Sequence, residues 1–426
     1  MAETVRVGVL GCGTVGSALI ALLTDGADVI AERTGVRFEV TQVAVRNLSA
    51  ERDVALRPGM LTRDAAGMVD DANIDLIVET IGGIEPARQL VLGALKSGKP
   101  VVTANKELVA NVGAELHEAA ASGGVDLFYE AAVAGGIPLM RVLRESLVGE
   151  QINRLMGIVN GTTNFILTKM TEEGADYAEV LAEAQQLGYA EADPTADVEG
   201  FDAGAKAAIM ATVAFGVRVV AGDVYQEGIS KLTPGDIAAA RRMGHVIKLL
   251  AVCERDAGEV AVRVHPVMVP DAHPLAAVRD SFNAIFLEGE AVDDLMLYGR
   301  GAGGAPTASA MLGDVIAAGR NLRRGVADNV AKLDPAKIRP IDETSSAFYV
   351  QIDVGDRPGV LSEVAGVFGS HGVSIRSMEQ EERGESAHLV LITHLAREAD
   401  MQLTIRDLRS LDSVSDVGSL IRVIGD

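Results

Sequence analysis

Thr4-Val-Arg-Val-Gly-Val-Leu10 runs into Gly11-Cys-Gly13-Thr14-Val15-Gly16, and Leu19, Ile20, Leu22 and Leu23 follow at helical spacing. This stretch decides the fold of the N-terminal third. A short β-type run ends in G-x-G-x-x-G and feeds an amphipathic helix, the context in which that glycine pattern binds a dinucleotide. Gly11 permits the tight turn, Gly13 lets a pyrophosphate approach the backbone, and Gly16 lets helix and strand pack closely. Thr14 and Val15 open the helix whose N-terminal amides face the phosphates. The bland alternative is an ordinary glycine turn, which the flanking strand and helix argue against.

The alternation continues outward. Phe38 to Val45 reads as a second strand ending at Arg46-Asn47, where an NAD site normally carries an acidic residue for the ribose hydroxyl. Arg46 suits the 2′-phosphate of NADP instead, with NAD still possible; as an alternative it is a solvated loop arginine. Ile74 to Glu79 reads as a buried strand before Thr80, and a helix follows from Pro86 to Lys96. The strand Val101 to Thr103 then leads to Ala104-Asn105-Lys106. Repeated βα units predict a doubly wound parallel sheet. Ligands sit beyond the carboxyl ends of such strands, so Thr80 and Lys106 fall at the expected crevice. Capping of the strand–helix turn is the other reading of Lys106.

Residues 203–217 hold one charge, Lys206, in a helix-like run of small and apolar residues. Upstream lie Glu191, Asp193, Asp197, Glu199 and Asp202. A lysine so placed is at least partly buried, and a buried ammonium is paired or titrates at a lowered pKa, both of which favour proton chemistry. The alternative is a surface pair between Asp202 and Lys206 at i,i+4.

Composition sets limits. A chain of 426 residues is expected to fold as two or three domains. Its net charge of −22, no Trp and few other aromatics argue against a nucleic-acid partner. No apolar run is long enough to read as a membrane span, and no signal peptide is evident at the start. Two distant cysteines, Cys12 and Cys253, fit a cytoplasmic protein without disulfides. His245, His265 and His273 lack metal-ligand spacing.

The second half of the reading rests on a resemblance. Glu130-Ala-Ala-Val133-Ala-Gly135-Gly-Ile137-Pro, Gly157-Ile-Val-Asn160-Gly-Thr-Thr-Asn164 and Leu187-Gly188-Tyr-Ala-Glu191 lead on to Asp197, Asp202 and Lys206. Together with the glycine fingerprint and Thr103-Ala-Asn-Lys106, these segments resemble homoserine dehydrogenase over residues 4–325. That family interconverts L-homoserine and L-aspartate 4-semialdehyde with NAD(P), in the biosynthesis of threonine and methionine. The resemblance implies that Lys206 transfers the proton and that Lys106 lies between nicotinamide and substrate. It implies that Glu191, Asp197 and Asp202 surround the amino acid, that Gly188 and Gly303 lie near the cofactor, and that Glu130, Val133, Gly135 and Ile137 hold a monovalent cation such as sodium. A homodimer or homotetramer is implied as well.

Beyond a polar segment with Pro335 and Pro340, Phe348 to Val354, a helix from Asp356-Arg-Pro-Gly-Val-Leu361, strands Val373 to Met378 and His388 to Thr393 about a turn at Glu382 to Glu385, a helix Ala399 to Leu408 and a strand Ser415 to Val423 give βαββαβ order. This resembles an ACT domain. The resemblance implies amino-acid feedback, threonine being the expected effector, or else a role in oligomerisation alone. Deleting residues beyond about 345 is expected to abolish inhibition and spare catalysis.

The expected fold class is therefore α/β: a Rossmann-type doubly wound sheet over 1–130, an α+β catalytic and dimerisation domain over 131–300, a segment returning to the nucleotide domain over 301–327, a linker over 328–346, and the ACT domain over 347–426. Two rivals stay open: another Rossmann–ACT amino or hydroxy acid dehydrogenase, and a non-catalytic amino-acid-responsive regulator. The first needs a His–carboxylate pair and an Arg clamp, which do not stand out here. The second is expected to have lost part of the acid–lysine series, which is intact.

Overall fold

The computed structural model describes residues 3–328, 333–383 and 386–424. The chain divides into two compact units, one of residues 1–153, 205–224 and 283–336, the other of residues 154–204, 225–282 and 337–426.

In the first unit β1 (Glu3–Leu10) leads through the glycine turn to α1 (Thr14–Asp25), and β2 (Val36–Ala44) follows. β3 (Leu61–Thr62), β4 (Leu76–Glu79), α2 (Ala87–Lys96), β5 (Val101–Thr103), α3 (Lys106–Gly123) and β6 (Leu127–Phe128) complete the sheet and its main helices. The strands are ordered β3-β2-β1-β4-β5-β6, and every pairing is parallel. Chain order reverses between β1 and β4, which is where a doubly wound sheet opens its ligand crevice. Val5, Val7, Val9, Leu76 and Val78 are buried, as befits strands covered on both faces.

The helix Gly304–Arg324 packs on this sheet late in the sequence. Its Ala308, Met311, Val315 and Ala318 join Leu19, Ile20 and Phe38 in one core. At Gly319 an added Cβ would lie 2.3 Å from the Phe38 ring, so glycine is what lets this helix lie so close to β2.

The second unit contains β7 (Ile152–Ile158), α4 (Gly161–Glu173), the start of α5 (Phe201–Phe215), β8 (His245–Asp256) and β9 (Glu259–Pro270). The C-terminal elements are β10 (Ser345–Gly355), α6 (Val360–Ser370), β11 (Ile375–Arg383), β12 (Ser386–Thr393), α7 (Glu398–Leu408) and β13 (Val414–Val423). The strands run β7-β8-β9-β13-β10-β12-β11. β13 is the join: it lies antiparallel to β10 and also pairs in parallel with Val267 and Met268 of β9. The C-terminal βαββαβ motif has its own core, built on Phe348, Val350, Ile352, Val364, Phe368, Leu389 and Leu408.

Several expectations shift in detail. α6 begins at Val360, near the end of Asp356–Leu361 rather than at its start, because Gly359 adopts φ +98° and stands outside the helix as its cap. β11 and β12 run further toward their turn than Met378 and His388; residues 384–385 of that turn lie outside the described residues. Separability changes most. Arg422 on β13 is buried and pairs with Glu398 at 2.8 Å and with Glu227 at 3.0 Å, and Ser419 donates to Asp236 at 2.8 Å. Deleting everything beyond 345 would strip a strand and a buried ion pair from the unit that remains, so it cannot be expected to spare catalysis. The polar segment is likewise tied down: Ile338 bridges to Val260, and Arg339 pairs with Glu259 at 3.1 Å.

Candidate functional site

The glycine turn is built by close approach. Gly11 adopts φ +101°, and an added Cβ there would lie 2.8 Å from the Thr80 carbonyl oxygen. At Gly16 it would lie 2.6 Å from the Gly11 carbonyl oxygen. At Gly13, the N-cap of α1, nothing lies within 4 Å. The first and third glycines are thus demanded by protein against protein, and the second leaves open room at a helix N-terminus, as a pyrophosphate requires. Thr14 and Val15 form the first turn of α1.

Thr80 follows β4, and its hydroxyl donates to the carbonyls of Leu10 and Gly11, each at 3.2 Å. It pins β4 to the glycine turn across the point of strand reversal. Glu79, fully buried, accepts from the amides of Ile81 at 2.7 Å and Gly82 at 3.1 Å and from the Thr103 hydroxyl. Asn105 caps α3 by accepting from the Leu108 amide at 3.1 Å and donates to the Gly83 carbonyl at 2.6 Å. Capping therefore belongs to Asn105. Lys106 is the first residue of α3, half-buried, where the helix dipole disfavours a cation. Arg46 is exposed, two residues beyond β2. Gly303, at φ +115°, caps the helix Gly304–Arg324, and a Cβ on the adjacent Gly304 would lie 3.0 Å from Thr14 Cγ2, so this turn abuts the start of α1.

The turn from Glu130 to Ile137 is buried almost throughout, with Ala134 and Gly135 at φ +56° and +51°. The Glu130 carboxylate accepts from the amides of Met140 at 2.7 Å and Arg141 at 2.8 Å, while its own amide donates to Asp314 at 2.8 Å. Burial raises the pKa of Glu130 and pushes Asp314 up to about 7. With the Glu130 side chain engaged by two amides, a cation here would be held by main-chain carbonyls, in keeping with an oxygen-liking ion. Among the described residues no cluster of three His, Cys, Asp or Glu could hold a metal.

In the second unit Asn160 is the organiser. As N-cap of α4 it accepts from the Thr163 amide at 2.9 Å, and its Nδ2 donates to Asp197 Oδ1 at 2.7 Å and to Asp202 Oδ2 at 2.9 Å. Two carboxylates 37 and 42 residues downstream are thus held on one amide group. Asp202 is buried and Asp197 half-buried. The Glu191 side chain is exposed, while its carbonyl accepts from Gln185 at 3.1 Å. Gly188, at φ +77°, follows the helix Tyr177–Gln186, and Thr162 donates to the next carbonyl, that of Tyr189, at 2.6 Å. Asp202 and Lys206 both lie on α5, one turn apart and so on one face. Lys206 is half-buried, with Ala205, Ala207 and Ala208 buried around it.

Sequence reasoning singled out the segment holding Asn160 and Asn164 without giving either side chain a task, and it passed over Lys248. Asn164 donates to the Asp280 carbonyl at 2.9 Å and accepts from Lys248 Nζ at 3.0 Å; that ammonium is buried, and desolvation lowers its pKa to about 8. The signal for Asn160 was its position at a helix start. Lys248 sits within a continuous apolar strand run, where a lone lysine is a departure worth noting.

Comparison with known proteins gives the family. The family model described as homoserine dehydrogenase matches residues 138–316, that of the homoserine dehydrogenase NAD-binding domain matches 11–130, and that of the ACT domain matches 348–413. A homoserine dehydrogenase of Corynebacterium glutamicum is 50% identical over 430 residues, covering 100% of this chain and 96% of the relative. The crystal structure of a homoserine dehydrogenase from Thiobacillus denitrificans superimposes with a TM-score of 0.94 at 41% identity, covering 99% of this chain and 98% of that one. A hyperthermophilic archaeal homoserine dehydrogenase in complex with NADPH gives 0.62 at 30% identity over 74% of this chain and 98% of its own.

Proposed function

The chain belongs to the homoserine dehydrogenase family, and from that premise we propose how its own residues divide the work. It is an oxidoreductase that interconverts L-homoserine and L-aspartate 4-semialdehyde with a nicotinamide cofactor. The observation that carries the residue assignment is the pair of carboxylates held by Asn160, followed one helical turn later by Lys206.

Asp197, Asp202 and Glu191 receive the substrate ammonium, a charge-assisted interaction that fixes which end of the amino acid faces the chemistry. When bound, the nicotinamide supplies the acceptor for the hydride that leaves the hydroxyl-bearing carbon. Lys206 takes the hydroxyl proton during oxidation and returns it to the forming alkoxide during reduction. Lys106, the first residue of α3, would contact both the nicotinamide and the substrate and orient them. Gly11, Gly13, Thr14, Val15 and Gly16 would cradle the pyrophosphate, and Thr80, Gly188 and Gly303 would border the rest of the cofactor. Arg46 favours NADP over NAD, in keeping with the NADPH of the archaeal relative. The carbonyls around Glu130, Val133, Gly135 and Ile137 would hold a monovalent cation, which would stiffen that buried turn.

The ACT motif takes an amino-acid effector, threonine in our reading, at the exposed turn Asp356–Gly359 before α6. The working form is a homodimer or homotetramer in the cytoplasm. The test is absorbance of reduced nicotinamide with L-homoserine plus NADP or NAD at alkaline pH, with and without threonine. Reduction of NADP faster than of NAD, suppressed by threonine, is the expected result. Equal rates would remove the role given to Arg46, and indifference to threonine would remove the effector.

A further inference from the structure

The turn that carries Asp197 and leads to Asp202 rests on a short segment of the same unit, residues 225–229. Tyr225 and Gln226 pair in parallel with Arg263 and Val264 of β9, and the Glu227 amide donates to the Val264 carbonyl at 2.8 Å. The Ile229 amide then donates to the Val198 carbonyl at 2.8 Å, one residue beyond Asp197. The fit is tight. A Cβ on Gly228 would collide with the Val198 carbonyl oxygen, and one on Gly204 would overlap the Gln226 side-chain amide. Gly200, at φ +83°, would bring a Cβ to 3.2 Å from Val264 Cγ1. In a close-packed interior a shift of 225–229 is therefore passed to the backbone that flanks both acids.

This segment is held in turn from the C-terminal βαββαβ motif. Arg422 on β13 donates through Nε and Nη2 to the two Glu398 oxygens, at 2.9 and 2.8 Å, and through Nη1 to Glu227 Oε2 at 3.0 Å. The Arg422 and Glu398 side chains are each 3% exposed, whereas Glu227 is 35% exposed. Two parallel bonds fix the plane of the guanidinium, so Glu398, the first residue of α7, sets the direction of the third donor. The guanidinium also lies 5.4 Å from the centre of the Tyr225 ring, whose hydroxyl donates to the same Glu227 oxygen at 3.3 Å. A buried ion pair adds little net stability over apolar residues of equal size, and its best-attested use is to fix registry. Here it registers 225–229 against α7 and β13.

We propose that Arg422 is a positioning residue for the substrate acids: through Glu227 it holds 225–229 against the turn bearing Asp197, and so lets the C-terminal motif set the affinity for homoserine. The proposal rests on the reading of Asp197 and Asp202 as receivers of the substrate ammonium. Arg422 touches neither substrate nor cofactor and acts on substrate binding alone.

The test is a mutant cycle in the full-length protein, with KM and kcat measured for homoserine at saturating NADP and KM for NADP measured separately. Glu227→Ala removes the link and leaves the Arg422–Glu398 pair in place. It is expected to raise the homoserine KM about tenfold, with kcat and the NADP KM within about twofold of wild type. Asp197→Asn is expected to raise the homoserine KM about tenfold or more. Because Glu227 acts through Asp197, adding Glu227→Ala to Asp197→Asn is expected to change KM by less than about twofold. Arg422→Lys keeps the charge and loses the fork, and is expected to raise the homoserine KM in the same sense as Glu227→Ala. Should Glu227→Ala not fold, Gly228→Ala, which presses on the Val198 carbonyl, takes its place in the cycle with the same expectation. An unchanged homoserine KM in folded Glu227→Ala or Arg422→Lys, an equal rise in the NADP KM, or full additivity with Asp197→Asn would overturn the proposal and leave the role of Asp197 standing. A wild-type homoserine KM in Asp197→Asn would remove that role, and the proposal with it.

Discussion

Asn160 Nδ2 donates to Asp202 Oδ2 at 2.9 Å while the same nitrogen donates to Asp197 Oδ1 at 2.7 Å. One amide at the start of α4 thus holds two acids that arrive from the short helix Thr195–Val198 and from α5. Asn160→Ala is expected to raise KM for homoserine by about 10- to 100-fold, the worth of hydrogen bonds to charged groups. Steady-state kinetics would check this, with KM for the cofactor unchanged. An unaltered homoserine KM in folded protein would show that the bridge is structural only.

Lys206 carries the proton in the proposed reaction, so Lys206→Ala is expected to lower turnover by about 10²–10⁴-fold. Cofactor binding, followed by quenching or calorimetry, is expected to persist, because the glycine turn is built from other residues. A variant with near-normal turnover would remove the lysine from the mechanism.

The three glycines of the turn should separate by experiment. Gly16→Ala places a methyl 2.6 Å from the Gly11 carbonyl oxygen and is expected to cost about 1–3 kcal/mol of stability. Gly13→Ala meets nothing within 4 Å and is expected to leave the melting temperature in place while weakening nicotinamide binding at least about tenfold. Paired thermal melts and cofactor titrations test both; tight cofactor binding by Gly13→Ala would mean that the pyrophosphate lies elsewhere.

Much of this architecture was legible because the signals are local. Strand, G-x-G-x-x-G and helix occupy residues 3–25, and each βα unit repeats the same short grammar, so β1, β2, β4 and β5 could be read in order, whereas the two-residue β3 is too short to show a pattern. Lys206 stood out because its neighbours carry no charge. What stayed hidden depends on distant parts of the chain. The Asn160 bridge needs acids brought from far downstream, and the parallel pairing of β13 with β9 joins Met268 to Val423. Arg422 read as one more polar residue in a terminal strand, yet it is buried against Glu227 and Glu398. Periodicity reports which face of a strand is apolar and says nothing of which strand it will join.

Lys248 offers a pH test with a defined sign. Burial lowers its folded-state pKa from 10.5 to about 8. Between those values the unfolded chain binds the proton and the folded chain does not, so stability rises with pH across this window. Conversely, the contribution present above the unfolded pKa is lost as pH falls through about 8, where the ammonium must be buried charged. The full span corresponds to about 3 kcal/mol at most, at 1.36 kcal/mol per pKa unit. Lys248→Met replaces the ammonium with an apolar group of similar length and removes this dependence. Differential scanning of both proteins from pH 7.5 to 10.5 is expected to show the wild-type midpoint gaining on the variant as pH rises. Parallel curves would mean that Asn164 and the Val278 carbonyl, which accept from Nζ at 3.0 and 2.5 Å, hold the lysine charged throughout.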